Sequence, residues 1–294
     1  MKFGIIGNTA KPVTRGVATN LITFLRGKNL PYVVHDELGK WLGADSKPPN
    51  VEQSILFSDS KLPQQCDMLI ALGGDGTMLA AARIVGKNGT PILGVNLGKL
   101  GFLAEVSVDE LQECINDILK GNYFVEERMA LEATSSKDEK SYYALNEVVV
   151  DKGASSRVVD LETYVDNDYL VTYAADGIIL NTPTGSTAYS LASGGPIVAP
   201  QARVITINPI APHTLTARPV IVPDDCVIRV VVKSAAKPVH ITTDGQVEGF
   251  YETPAEFAIR KAPYTIKLVK RKNRRFYDLL RTKLMWGKDV RVGK

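Results

Sequence analysis

The chain has 294 residues, 45% of them apolar and 23% charged, enough for one large or two ordinary domains with substantial cores. Its net charge of +3 is nearly neutral for this length, which argues against a dedicated nucleic-acid binder and leaves anionic small substrates compatible. Cys66, Cys114 and Cys226 are far apart with no CxxC pair, so a disulfide framework and a zinc site are both disfavoured and a reducing compartment is expected.

The opening MKFGIIGNTA has one lysine and a short apolar run, and it reads as a first buried strand (Phe3 to Ile6) rather than a signal peptide. No apolar run approaches the roughly 18 residues that cross a bilayer, so a cytoplasmic protein is expected. Helical spacing follows over Thr14 to Arg26 through Val17, Leu21, Ile22 and Leu25. The Trp41 region, with PPNVEQS after it, reads as a connector. Met68 to Leu72 is a second strand, Thr77 to Val85 a helix, Pro91 to Val95 a third strand, and Val108 to Leu119 an amphipathic helix stopped by Gly121. Short apolar strands alternating with helices predict a parallel sheet covered by helices.

From about Phe124 the pattern changes. YYALNEVVV, VVDLETYV, YLVTY, GIILNT, RVITI, VIRVVVK and VHITT are β-branched or aromatic and separated by turn clusters, which predicts an antiparallel sandwich. Asp166-Asn167-Asp168 reads as a hairpin loop rather than a calcium loop, lacking the glycine and distal glutamate of one. The basic run Lys270 to Arg275 reads as a solvated strand end. Beyond it, Phe276 to Trp286 returns to helix, with Leu279, Leu280, Leu284 and Trp286 in search of a surface to bury against. The expected division is 1–125 with 271–294 as an α/β Rossmann-like domain, and 126–270 as a β-sandwich, the C-terminal helical segment packing back on the first domain.

LGGDGTMLA, Leu72 to Ala80, raises a specific question. Glycines between a strand and a helix let backbone N–H groups close on a phosphate, yet a carboxylate, Asp75, stands in their midst. There is no GxxxxGK[ST] and no GxGxxG, so neither a P-loop nor a dinucleotide fingerprint explains the loop. Asn146-Glu147, entering an otherwise apolar strand, is expensive to bury without partners, and a ligand's hydroxyls would supply them. In ADGIILNTPTGSTAYSLASGGPI, Thr182 to Gly185 make a tight turn. Ser186 and Thr187 then bring hydroxyls to the start of a short helix (TAYSLAS) carrying Tyr189, an arrangement suited to a nucleotide.

GGDGT, the Asn-Glu pair, DG…TPTGSTAYSLASGGPI, GVNLGKLGFL (Gly94 to Leu103) and PHTLTARPVIV (Pro212 to Val222) together resemble bacterial ATP-dependent NAD kinases, in this order over most of the chain. GGDGT alone is shared with diacylglycerol kinases, sphingosine kinases and 6-phosphofructokinase-type enzymes. The resemblance implies transfer of the ATP γ-phosphoryl group to the 2′-hydroxyl of the adenosine ribose of NAD. The cofactors it implies are ATP and a divalent cation, Mg2+ by the same resemblance; the sequence identifies no protein ligand for the cation.

By the same resemblance, Asp75 is the proton acceptor at the acceptor hydroxyl, and the loop Gly73, Gly74, Gly76 and Thr77 admits the ATP phosphates. Asn146 and Glu147 hold the ribose and base of NAD, and Asp176 binds the nicotinamide half. Thr187, Ala188, Tyr189 and Ser190 line the adenosine pocket with Tyr189 on the adenine. Arg157 and Gln246 match further NAD-binding positions, and Gly76 borders the NAD as well as the ATP. Some members carry a basic residue just ahead of the Asp-Gly pair, where this chain has Ala174 and Ala175. The family commonly forms homodimers or homotetramers. The alternatives are a lipid kinase of the same superfamily, against which the lack of amphipathic membrane segments counts, and a non-catalytic NAD-binding regulator, against which Asp75 counts.

Overall fold

The computed structural model describes residues 1–43, 55–98, 101–271 and 276–286. The chain divides into two compact units, Met1–Glu127 with Lys267–Lys294, and Arg128–Ile266. The stretch PPNVEQS and residues 272–275 of the basic run lie outside the described residues.

The first unit is α/β. Its strands are β1 (Phe3–Gly7), β2 (Tyr32–His35), β3 (Leu56–Phe57), β4 (Met68–Gly73), β5 (Ile92–Asn96) and the short β6 (Val106–Ser107). They pair in parallel in the order 3-2-1-4-5-6. Between and after them run α1 (Val13–Gly27), α2 (Asp36–Gly43), α3 (Asp75–Val85) and α4 (Leu111–Leu119). The central strands are buried throughout, which is why Met68–Leu72 reads as unbroken apolar sequence. Val17, Leu21, Ile22 and Leu25 of α1 and Leu111, Ile115 and Ile118 of α4 close over Phe3, Ile5, Ile70, Leu72 and Val95.

Three local expectations change here. The Trp41 region is not simply a connector, because β2 and α2 precede the undescribed stretch and the Arg15 guanidinium lies 4.6 Å from the Trp41 ring. α3 begins at Asp75 rather than Thr77, with extended Gly74 as its cap, and α4 begins at Leu111 rather than Val108.

The second unit is an antiparallel sandwich. In chain order its strands are β7 (Phe124–Ser135), β8 (Ser141–Ala144), β9 (Glu147–Asp151), β10 (Val159–Val165), β11 (Asp168–Ala175) and β12 (Gly177–Asn181). After the one-turn helix α5 (Tyr189–Ala192) come β13 (Val204–Ile210), β14 (Val220–Pro223), β15 (Ile228–Val232), β16 (Val239–Thr243), β17 (Val247–Tyr251) and β18 (Ala255–Lys270). One sheet runs β14-β13-β12-β9-β16-β17, and the facing layer includes β11-β10-β15-β18. Val148, Val150, Ile178, Leu180, Ile205 and Ile207 from the first meet Leu161, Tyr173, Ile228, Val230, Phe257 and Ile259 from the second in one apolar core. Asp166-Asn167-Asp168 is the β10–β11 hairpin, with Asp166 at φ +53° and its carboxylate accepting from the Val227 N–H at 2.9 Å.

The last residues of β18 and the final helix α6 (Phe276–Leu284) belong to the first unit. Lys270 is not solvated: it is only 5% exposed and ion-paired with Glu105. Arg271 reaches Glu110, Glu113 and Asp117 at 3.4–3.5 Å, so α4 supplies the counter-charges that the local sequence does not. Leu280 is buried and Lys283 lies 5.6 Å from the Phe102 ring. Trp286, past the helix end, is 54% exposed rather than buried.

Candidate functional site

In the first unit the candidate loop leaves the carboxyl end of β4, the edge of a parallel sheet where α/β folds place ligands. Asp75 is the first helical residue of α3, and its carboxylate is held by three successive backbone donors. The Phe102 N–H gives 2.8 Å to Oδ2, and the Leu103 and Ala104 N–H groups give 2.9 and 3.3 Å to Oδ1. These donors come from the end of GVNLGKLGFL and the alanine after it. Gly101 makes this approach possible, because a Cβ there would stand 1.9 Å from Oδ1. Oδ2 accepts one of the three bonds and retains a lone pair.

The glycines of the loop divide by cause. At Gly73 a Cβ would collide with Thr77 Oγ1 at 1.9 Å, so the fold itself requires glycine there. At Gly74 and Gly76 a Cβ meets no described atom within 4 Å. The packing of this unit does not demand glycine at those two positions, and neither has a positive φ.

In the second unit the Asn-Glu pair opens β9, and the TPTG turn follows β12 beside it. The Thr182 N–H donates to Asn146 O at 2.9 Å, the Thr182 hydroxyl donates to Leu145 O at 2.6 Å, and the Gly185 N–H donates to that hydroxyl at 3.1 Å. A 3₁₀ turn over Thr184–Thr187 and α5 replace the continuous short helix expected, with the break at Ala188. Tyr189 is 45% exposed and free to present its ring, while Thr187 and Ala188 are half-buried. Ser190 is fully buried, and Asn208 Nδ2 donates to its carbonyl and hydroxyl at 3.0 and 3.2 Å, so its side chain supports the turn from beneath.

Sequence reasoning passed over Asp244. It turns the β16–β17 hairpin at φ +53°, and its carboxylate accepts from the N–H groups of Leu145, Asn146 and Glu147 at 2.8, 2.7 and 3.1 Å. The Asp-Gly turn was the only signal, and it indicated a hairpin rather than this reach. Gln246, two residues on, is exposed, its N–H donating to Thr243 O at 3.0 Å. Arg157 is exposed in the loop after β9, where Ser155 Oγ accepts from its N–H at 3.1 Å.

Glu147 is the most perturbed group of this unit. It is 7% exposed, its Oε2 has no hydrogen-bond partner among the described residues, and burial followed by the nearby Asp244 carboxylate pushes its carboxyl up to about 8, against the pull of the Tyr189 backbone N–H. A carboxyl whose folded pKa is raised contributes stability below its unfolded value and loses it as pH rises toward the folded value. Wild-type stability is therefore expected to fall between about pH 4.5 and 8. Glu147→Gln is expected to remove most of that slope, so its melting temperature relative to wild type rises by several degrees, roughly, from pH 5 to pH 8. Parallel melting curves of the two proteins across that range would contradict the assignment.

Asp176 stands apart from Asn146 and Glu147. It precedes β12 at the end where Gly177 pairs with Asp151, whereas Asn181 at the other end pairs with Glu147. The two groups are separated by the length of the strand, roughly 15 Å. Lys152 Nζ contacts Asp176 Oδ1 at 2.7 Å, and the Lys152 N–H donates to Asp176 O at 3.0 Å.

Residues 3–123 match the family described as ATP-NAD kinase N-terminal domain, and residues 145–271 match the ATP-NAD kinase C-terminal domain. An NAD kinase of Bacteroides fragilis is 44% identical over 294 residues, covering 99% of this chain and 100% of that relative. An NAD kinase of Geobacter sulfurreducens is 41% identical over 289 residues, covering 97% and 99%. The crystal structure of yeast NADH kinase complexed with NADH is similar with a TM-score of 0.89 at 27% identity, covering 100% of this chain and 90% of that one.

Proposed function

This chain belongs to the ATP-NAD kinase family, and we propose that Asp75 is the group on which its phosphoryl transfer turns. The protein is an ATP-dependent NAD kinase, a phosphotransferase. In the proposed reaction the 2′-hydroxyl oxygen of the adenosine ribose of NAD attacks the γ-phosphorus of ATP. The bond from that phosphorus to the β,γ-bridging oxygen breaks, ADP leaves, and the hydroxyl proton passes to Asp75 Oδ2. Phosphoryl transfer asks little covalent chemistry of the protein; it asks for a positioned nucleophile and late proton removal. The observation that carries the reading is the carboxylate fixed by the Phe102, Leu103 and Ala104 amides, with a lone pair of Oδ2 to spare.

Gly74 and Gly76 fit the same reading. Their own unit leaves room for a side chain, so a close-lying ATP phosphate chain accounts for their smallness better than packing does, with Gly73 and Thr77 completing the loop. A divalent cation, Mg2+ in this proposal, would neutralise charge on the phosphates. Among the described residues no cluster of three or more His, Cys, Asp or Glu could hold a metal.

The sandwich unit, in this reading the NAD-binding domain, would take the adenosine half between Asn146 and Glu147 on one side and Thr187 to Tyr189 on the other, with buried Ser190 holding the turn. Asp176 would meet the nicotinamide half, and Arg157 and Gln246 would contribute further polar contacts. Tyr189→Ala is expected to raise the KM for NAD roughly tenfold and to leave that for ATP within about twofold, because base–aromatic stacking is worth about 1–3 kcal/mol. Equal effects on the two substrates would remove Tyr189 from the adenine.

A cytoplasmic setting and a homodimeric or homotetrameric assembly complete the proposal. The three cysteines are free, and burial pushes the Cys66 and Cys114 thiols up to about 11, as suits structural thiols in a reducing compartment. Sedimentation measures the state of assembly directly. The whole reading is tested by incubating the protein with ATP, Mg2+ and NAD and following NADP with a dehydrogenase specific for it. Dinucleotide left unmodified would refute it.

A further inference from the structure

We propose that Lys152 sets how this enzyme ranks oxidised against reduced dinucleotide, by neutralising the carboxylate of Asp176. The inference rests on the proposed contact between Asp176 and the nicotinamide half. Its physical basis is a charge difference: the nicotinamide ring is a cation in NAD+ and neutral in NADH, while the rest of the two molecules is the same. A bare carboxylate against that ring attracts NAD+ and gains no Coulomb energy from NADH, so it separates the two substrates. A carboxylate already paired with an ammonium separates them far less.

The geometry at Asp176 is the paired one. Lys152 Nζ lies 2.7 Å from Oδ1, with the lysine side chain 25% and the aspartate side chain 39% exposed. The two residues are also tied through the backbone, the Lys152 N–H donating to Asp176 O at 3.0 Å, and Gly177 pairs with Asp151 in the adjoining ladder. This anchoring holds the lysine against the aspartate more firmly than two surface side chains meeting by chance, whose pairing is worth little. The contact is long-range: alanines at 174 and 175 leave no cation immediately ahead of Asp176, and the charge arrives from the end of β9. The remaining exposure of Asp176 leaves the pair open to a ligand.

The enzyme so built phosphorylates NADH as well as NAD+. With ATP and Mg2+ in excess and products separated by chromatography, the wild-type kcat/KM values for the two dinucleotides are expected to agree within about fivefold. Lys152→Met is expected to shift their ratio toward NAD+ by roughly five- to tenfold, the size of one partly screened charge interaction at contact range. Lys152→Arg, which keeps the cation, is expected to retain the wild-type ratio. The ratio is independent of the amount of folded enzyme, so partial loss of Lys152→Met protein does not blur the result.

An unchanged ratio in Lys152→Met overturns the proposal, as does a wild-type enzyme that prefers one dinucleotide by more than about 100-fold. Asp176→Asn separates this failure from that of the underlying contact. A raised KM for the dinucleotides in Asp176→Asn beside an unaltered ratio in Lys152→Met would keep Asp176 in the site and exclude the lysine. Unaltered KM values for both dinucleotides in Asp176→Asn would remove the contact itself, and the inference with it.

Discussion

Asp75→Asn is expected to lower kcat at least about 100-fold while the KM for NAD changes by less than about fivefold. Asparagine keeps the shape of the side chain but not its ability to take a proton from an attacking hydroxyl. The Phe102, Leu103 and Ala104 amides constrain the outcome further, since all three bonds are to carboxylate oxygens. The amide must turn its oxygen to one side and its NH2 to the other, so at least one backbone N–H loses its acceptor. That loss costs about 1–3 kcal/mol, too little to unfold a chain with two cores of this size. The variant should therefore show a native far-ultraviolet circular dichroism spectrum, a melting point lowered by a few degrees, and almost no NADP formed. A variant as fast as wild type would take Asp75 out of the mechanism.

Gly185→Ala is expected to strike binding and stability together. A Cβ at this position would lie 2.2 Å from Asn146 O, 2.6 Å from its carbonyl carbon and 2.8 Å from its Cα. All three are backbone atoms that no rotamer change can clear. The TPTG turn must move off the Asn-Glu strand end, disturbing the bonds from Thr182 to Leu145 O and Asn146 O. Overpacking of this kind costs roughly 1–3 kcal/mol, and displacement of the turn carries Tyr189 with it. The expected result is a melting temperature several degrees lower and a KM for NAD at least about tenfold higher, with the KM for ATP little altered. Unchanged melting and unchanged KM would mean that the turn and the Asn-Glu pair are not one structural piece.

The sheet-and-helix alternation of the first unit was legible because each element there carries its own pattern. Met68–Leu72 is apolar at every position, and α1 repeats apolar residues at helical spacing. The sandwich was legible for the same reason, in β-branched runs divided by turn clusters. The beginning of α3 was misjudged by two residues, since Asp75 and Gly76 have weak intrinsic helix preference and are helical here through their position after β4. The Lys270 end of the basic run was misread as solvated because its counter-charge, Glu105, lies 165 residues away in sequence. Ser190 was legible as part of the turn, but its burial beneath Asn208 was not.

The sequence by itself determined the two chemical stretches, LGGDGT and TPTGSTAY, and the kinds of element that carry them, because turn chemistry and periodicity are properties of neighbouring residues. Only the tertiary structure decided what those stretches hold in place. Asp75 is gripped by amides 27–29 residues downstream, Asp244 grips the backbone of the Asn-Glu pair from 97–99 residues away, and Lys152 crosses from one strand end to Asp176. Each of these is a carboxylate meeting a donor that folding brings to it, and a carboxylate carries no local sign of which donor that will be. Glu147 shows the same division. Its cost if buried can be read from the residue type, but the orphaned oxygen and the carboxyl pushed up to about 8 exist only once the sandwich has closed around it and set Asp244 beside it.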